Sequence, residues 1–188
     1  MGTLMALKAT IFKATLNIVD LDRNYYQNHG LTIARHPSET NERMMIKLLA
    51  YACHASESLT FTKGLCTDAE PDLWQRSLSG EVELWIDLGL PDKKRIRKAC
   101  GRAMSVWIYS YGGRTGDIWW QQIRNKLTRF ENLTVINLPV PATGALAGMA
   151  ERNMQLQCLI QDGTISINNG KQHITIEPQQ WLVNRMTA

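Results

Sequence analysis

Cysteine is scarce and dispersed. The four residues, Cys53, Cys66, Cys100 and Cys158, form no C-x-x-C pair in a chain of 188. Neither a disulfide framework nor a zinc knuckle fits that spacing, and reduced, buried thiols are expected. Long apolar runs are missing too. No stretch reaches the roughly 20 residues of a membrane-spanning helix, and the amino terminus lacks the basic-then-apolar pattern of a secretion signal. A cytoplasmic chain with no membrane partner is therefore expected. His29, His36, His54 and His173 show no ligand spacing. No G-x-x-x-x-G-K-[ST] occurs, which removes a nucleotide P-loop. Gly112-Gly113, ahead of a helix, reads as a tight turn, with phosphate cradling as the alternative.

Apolar content of 44% with 20% charged residues is ordinary for a globular protein. The length suits one domain with a substantial core. Net charge is only +4 but uneven. Ten basic residues against the single acid Asp117 make the segment from Lys93 to Arg129 +9 and leave the remainder at −5. A basic band beside acids suits a phosphodiester binder with a metal site; two solvated basic helices would read the same way.

The ends of the chain read as β and the middle as α/β. Leu7 to Val19 is a long strand, 20–24 a turn, and Gly30 to Arg35 a returning strand. His36-Pro37-Ser38-Glu39 reads as a helix start, with Ser38 a capping candidate, and the helix runs to about Ala55. Glu42 falls at the edge of its buried stripe of Met45, Leu48, Leu49 and Ala52, and needs a partner such as Arg43 or Arg35, or a shared site. Leu59 to Lys63 is a short strand, followed by a Gly64 turn and the acidic loop Asp68-Ala69-Glu70. Asp92 caps a basic helix from Lys93 to about Ala103, burying Ile96, Ala99, Cys100 and Ala103. Ser105 to Tyr111 is a strand, Thr115 to Arg129 a helix, and Leu133 to Leu138 a strand. Adjacent Trp119 and Trp120 cannot both face the core, which leaves one to pack at an edge or to stack on a base. A weak helix reaches about Arg152. Three strands follow, Met154 to Gln161, Thr164 to Asn168 and Gln172 to Glu177, joined by Asp162-Gly163 and Asn169-Gly170 turns. They are expected to join the N-terminal hairpin in a second, antiparallel sheet.

The most informative stretch is Pro71 to Lys98. Asp72 to Ser77 and Val82 to Leu88 flank Ser79-Gly80 and read as a hairpin. A turn centred there puts Asp72 opposite Asp87, Trp74 opposite Trp85 and Arg76 opposite Glu83 on one face, with Leu73 opposite Ile86 and Gln75 opposite Leu84 on the other. Aromatic and opposite-charge pairs stabilise a hairpin, whereas like charges about 5 Å apart oppose it. The two aspartates must share a proton, be solvated or find a cation, and a divalent metal is the solution that also does chemistry.

This order of elements, with Pro71-Asp72 and Asp87-Leu88-Gly89, resembles the core of the PD-(D/E)XK nuclease superfamily. More closely, MALKATIFKA, LTIARHPSETNERMM, ELWIDLGLPD, RIRKAC, IWWQQ and LIQDGTI resemble the YaeQ family, a variant of that fold, from Met5 to about Ile165. The resemblance implies a restriction-endonuclease-like mixed sheet flanked by helices. A single YaeQ-like domain would span 1–188, with its nuclease-like core at about 38–138 and terminal β elements at about 7–35 and 154–177. It further implies that Asp72 and Asp87 hold Mg²⁺ or Mn²⁺ and that Glu42 or Glu83 completes the shell. Gly89 stands where the motif lysine belongs, so Lys98 or Lys94 would have to reach in to orient water. Lys94, Arg95, Arg97, Lys98 and Arg114 would grip nucleic acid.

Three readings remain. One is a metal-dependent phosphodiesterase. The second is a nuclease-like module that binds nucleic acid or a protein without cutting. The third is an ordinary α/β domain whose acids pair with Arg35, Arg76 and Arg95.

Overall fold

Strand alternation decides the first layer of this computed structural model, which describes residues 8–62, 69–183 and 185–186. In β1 (Thr10–Asp20), Phe12, Ala14, Leu16 and Ile18 are buried while Ile11, Lys13 and Thr15 are exposed, the period of two of a sheet with one solvated face. A turn leads into β2 (Tyr25–Arg35), and the pairing from Thr10 opposite Arg35 to Asp20 opposite Tyr25 is unbroken. β8 (Asn153–Gln161), β9 (Thr164–Asn168) and β10 (His173–Ile176) complete a five-stranded sheet ordered β10-β9-β8-β1-β2. The terminal strands therefore join as expected. The sheet is mixed, not antiparallel, because β8 runs parallel to β1. Most of the chain separates those two strands, so no tight turn forces them to reverse.

The second sheet contains β3 (Leu59–Phe61), β4 (Leu73–Arg76), β5 (Val82–Leu88), β6 (Ala103–Ser110), β7 (Leu133–Asn137) and β11 (Gln179–Leu182), ordered β11-β7-β6-β5-β4-β3. β5, β6 and β7 are parallel, linked by α2 (Lys93–Cys100) and α3 (Arg114–Leu127). Every residue of β7 is buried, as expected for a parallel strand covered on both faces. β11 is absent from the sequence reading. Four residues, QQWL, are too short to show alternation, and a bulge interrupts their pairing with β7.

Two helices, α1 (Asn41–His54) and α4 (Val140–Gly148), lie between the sheets. All residues from Met44 to Ala52 are buried, and one apolar core joins α1 to Leu16 and Ile18 of β1 and to Ile86 and Leu88 of β5. A second core sets Ile96 and Ala99 of α2 and Ile123 and Leu127 of α3 against Trp85, Val106 and Ile108. The layers are thus sheet, helices, sheet, helices.

Several boundaries move from the sequence expectation. Thr40, not Ser38, caps α1: its side chain accepts the Arg43 N–H at 3.1 Å. Ser38 Oγ instead pairs with His36 Nδ1 at 2.6 Å. α2 stops at Cys100 because Gly101 closes it, and Ala103 opens β6 rather than facing inward from a helix. Both tryptophans of α3 are half-buried. Trp119 Nε1 donates to the Pro91 carbonyl at 2.9 Å, and Trp120 stacks on Trp181 of β11. The lead before Lys8, the Lys63 end of the third expected strand, the Gly64 turn, Cys66 and Asp68 lie outside the described residues.

Candidate functional site

The hairpin of β4 and β5 forms with the expected pairs Leu73 with Ile86, Trp74 with Trp85 and Gln75 with Leu84. A bulge then places Arg76 opposite Val82 instead of Glu83. The expected Arg76–Glu83 bridge does not form. Arg76 lies over the Trp74 ring, 5.0 Å from its centroid, and Glu83 Oε2 accepts from Gln75 Nε2 at 2.7 Å. Two ordinary polar contacts thus replace one salt bridge.

Asp72 sits just before β4 and is 4% exposed. Its carboxylate accepts two bonds from Arg43 Nη2, at 2.7 and 2.9 Å, and the Leu88 N–H at 2.9 Å. Arg43 Nη1 donates to the Leu88 carbonyl at 2.9 Å. The guanidinium therefore fills the corner between the start of β4 and the end of β5. Gly89 shows why it fits: its φ is +95°, and a Cβ there would stand 3.3 Å from Arg43 Nη1. A lysine at the motif position would be strained in its backbone and would crowd the arginine. Burial alone would lower the Arg43 pKa, but the Asp72 charge and the Tyr111 phenol beside it more than offset this and hold it above its ordinary value. Burial pushes the Tyr111 hydroxyl up, Arg43 pulls it down, and Glu42 and Asp72 push it up again. Along α1, Glu39 continues the network, with Lys47 Nζ at 2.5 Å and Arg43 Nε at 3.9 Å.

Asp87, 2% exposed, belongs to the other side of the sheet. Arg95 of α2 grips it twice, Nε to Oδ2 at 2.8 Å and Nη2 to Oδ1 at 2.7 Å, and also donates to the Glu70 carbonyl at 2.9 Å. Arg102 donates to the Ala69 carbonyl at 2.9 Å, so two arginines fasten the approach to the hairpin. Burial raises the Asp87 pKa above the ordinary aspartate value. Arg95 and the nearby Trp85 indole, whose N–H has no partner within hydrogen-bonding geometry, offset part of this, and Asp72 adds to it.

The two aspartates do not share a face as the expected register required: the Asp72 N–H bonds the Ile86 carbonyl, one residue off the pairs that follow, so Asp72 meets Arg43 of α1 while Asp87 meets Arg95 of α2, and the remaining expected ligands join neither. Glu83 is four residues from Asp87 along β5, roughly 13 Å in an extended strand. Glu42 is half-buried on the first turn of α1, where its charge helps raise the Tyr111 pKa. Lys98 is exposed one turn beyond Arg95, and Arg95 is the residue that reaches Asp87. Among the described residues no three His, Cys, Asp or Glu side chains gather to hold a metal. Mg²⁺ or Mn²⁺ does not fit this arrangement, since each carboxylate already carries a guanidinium that a dication would have to displace. Of the other basic residues expected at the site, Lys94 and Arg97 are exposed on α2 and Arg114 on the first turn of α3, whereas Arg95 is half-buried against Asp87.

One cluster went unread in the sequence. His54 Nε2 and the Tyr109 hydroxyl are 2.8 Å apart, and the His54 ring stands edge-on to Trp107 at 4.5 Å. Burial, aided by the Arg23 charge, drops the His54 pKa to about 3, and burial pushes the Cys53 thiol up to about 12. Both groups are neutral near pH 7 and fasten α1 to β6. No residue spacing signals this, because the partners lie 55 positions apart.

Comparison with known proteins gives a consistent result. A family model described as YaeQ protein matches residues 5–178. "Uncharacterized protein YaeQ" from Escherichia coli K12 is 48% identical over 177 residues, covering 94% of this chain and 98% of that protein. The Salmonella typhi protein of the same description is 47% identical, with the same coverage. The crystal structure of YaeQ protein from Xanthomonas axonopodis pv. citri matches with a TM-score of 0.91 at 44% identity, over 93% of this chain and 99% of that one. The Pseudomonas syringae YaeQ structure matches at 0.89 and 33% identity, over 94% and 98%. No helix among the described residues is long and apolar enough to cross a membrane.

Proposed function

Because the chain belongs to the YaeQ family, whose relatives' descriptions state no activity, we propose its function from the site itself. It is a variant of the restriction-endonuclease-like PD-(D/E)XK fold that grips nucleic-acid phosphates through α2 and the start of α3 without metal-dependent cutting. The observation that carries this reading is the Arg43 guanidinium, seated between Asp72 and Gly89 where a metal and the motif lysine would otherwise act. Basic side chains at Lys94, Arg97, Lys98 and Arg114 are exposed and need no metal to attract a phosphate backbone. Arg95 is committed to Asp87 and serves the fold.

The test is anisotropy of a labelled duplex over a salt series. Affinity should fall steeply with salt, and Lys94→Ala/Arg97→Ala should flatten the log–log slope by about two, one for each lost phosphate contact. No binding at low salt would overturn the proposal. Cutting is the second reading, favoured by one observation: Asp72 still raises the Asp87 pKa, so the two acids lie within electrostatic reach of each other. Strand cleavage in Mg²⁺ or Mn²⁺ that disappears in Asp87→Asn would replace binding alone with catalysis.

A further inference from the structure

The solvated face of the five-stranded sheet carries a pattern that the basic helices do not explain. Register places Asn28, Asn17, Gln157, Asn168 and His173 side by side, one from each strand from β2 to β10. At 4.7–4.9 Å per strand the row is roughly 19 Å long. Asparagine is depleted in strands, so three of them at paired positions run against local preference, and such conflicts concentrate where a surface has a task. The row is partly organised already: Asn17 Nδ2 donates to Asn28 Oδ1 at 2.6 Å.

A trough crosses the row, running along β1 and β8 from Lys13 and Asn153 to Val19 and Leu159. Three concavities of about 430, 440 and 330 Å³ overlap along it, the first two sharing Thr15 and Gln155 and the last two sharing Asn17, Gln157 and Asn168. The first opens over Gly30, which faces outward between β1 and solvent. Gly30 has no positive φ, and a Cβ built there meets nothing within 4 Å. Neither backbone nor packing requires glycine at this point in a strand, where it costs conformational entropy. Glycine in such a place fits the close approach of a ligand.

Charge selects the ligand. Among the outward-facing paired positions Lys13 is the single charged side chain, so a phosphate or carboxylate polymer finds no row of counter-ions. A second copy of the chain is disfavoured because the core of a subunit interface is apolar and aromatic, whereas this row is amide. Amide groups donate and accept at once, which matches adjacent hydroxyls. Beside the row lie Tyr26, Val19 and Leu159, also paired in register; Tyr26 is 52% and Leu159 40% exposed. They offer an apolar strip to the C–H face of a ring. We infer that this face binds a neutral oligosaccharide chain, laid along the trough from Gly30 over the amides of Asn17, Gln157 and Asn168 to Val19 and Leu159.

The full chain, ¹⁵N-labelled, is titrated with cellohexaose, maltohexaose and chitohexaose while the side-chain NH₂ signals of Asn17, Asn28, Gln157 and Asn168 are followed. At least one sugar should shift these signals at millimolar concentration. Gly30→Thr should weaken binding about tenfold or more while unfolding at the same or higher temperature, since the added side chain enters the trough and not the core. Asn17→Ala/Gln157→Ala, at solvated positions, should weaken it similarly. Silence with all three sugars overturns the inference, as do shifts that survive Gly30→Thr. Concentration-dependent broadening of the same signals without sugar also overturns it, by making a second copy the occupant.

Discussion

Asp72 and Asp87 lie at one end of a hairpin, both almost fully buried, yet they turn to opposite faces of the sheet and are held in different ways. Asp72 has a doubly bonded guanidinium from α1 and a backbone N–H, and its arginine is 18% exposed. Asp87 is gripped from α2 by an arginine that is 25% exposed, and its pKa rises despite the contact. The difference shows what a like-charge pair becomes when helices cover both faces of a sheet. Each face contributes its own cation, and the acids are answered separately instead of sharing an ion.

Breaking the two pairs should expose this asymmetry. Arg43→Met strands Asp72 and the Leu88 carbonyl, with Glu39 as a further loss, and should cost about 3–5 kcal/mol, the range for removing one partner of a buried pair. Arg95→Met should cost less, because burial raises the Asp87 pKa, so protonation can relieve the stranded acid, and Arg95 is nearer water than Arg43. Urea denaturation of both variants checks the order. Equal losses would mean that the two sites are equivalent.

Gly89→Ala is a smaller perturbation. The positive φ alone predicts a loss of about 1–2 kcal/mol, and the approach to Arg43 Nη1 adds to it. Gly89→Lys, which restores the motif letter, should be no milder and should not create Mg²⁺-dependent cleavage. A gain of cleavage in that variant would return the corner to catalysis.

The smallest effect is a pH dependence. Asp87 titrates above the ordinary value of 3.8 in the folded state, so between those two pKa values the native protein holds the proton more tightly. Its contribution is favourable below 3.8 and is lost as pH rises through the folded pKa. Wild type should therefore lead Asp87→Asn by most at low pH, with the lead shrinking through the mildly acidic range in urea midpoints. A lead that grows with pH would show that Arg95 outweighs burial.

The hairpin was legible because its signals are local: a Ser-Gly turn, matched lengths and cross-strand pairs two residues apart. Three of the five pairs formed as read; Arg76 with Glu83 failed at a bulge that neither residue announces, and Asp72 with Asp87 failed where the Asp72 N–H slips to the Ile86 carbonyl. The α1 start was misread for a similar reason. By type Ser38 is the better cap, and only the chain's path into the helix chooses Thr40. The band from Lys93 to Arg129 was legible as charge, and of the three arginines expected to answer the acids, Arg95 does pair with Asp87, whereas Arg76 lies over Trp74.

The sequence alone determined the β-rich ends and α/β middle, the inner strand from Ser105, the cap at Asp92 and the hairpin that carries the two aspartates, because periodicity and turn chemistry act within a few residues. Tertiary structure alone decided what those aspartates meet. Arg43 arrives from 29 positions away. A glycine at φ +95° makes room for it, and the packing of α1 against β5 brings them together. Partner choice for a buried charge depends on which helix covers which face, and that is set by the whole core and not by any stretch of it.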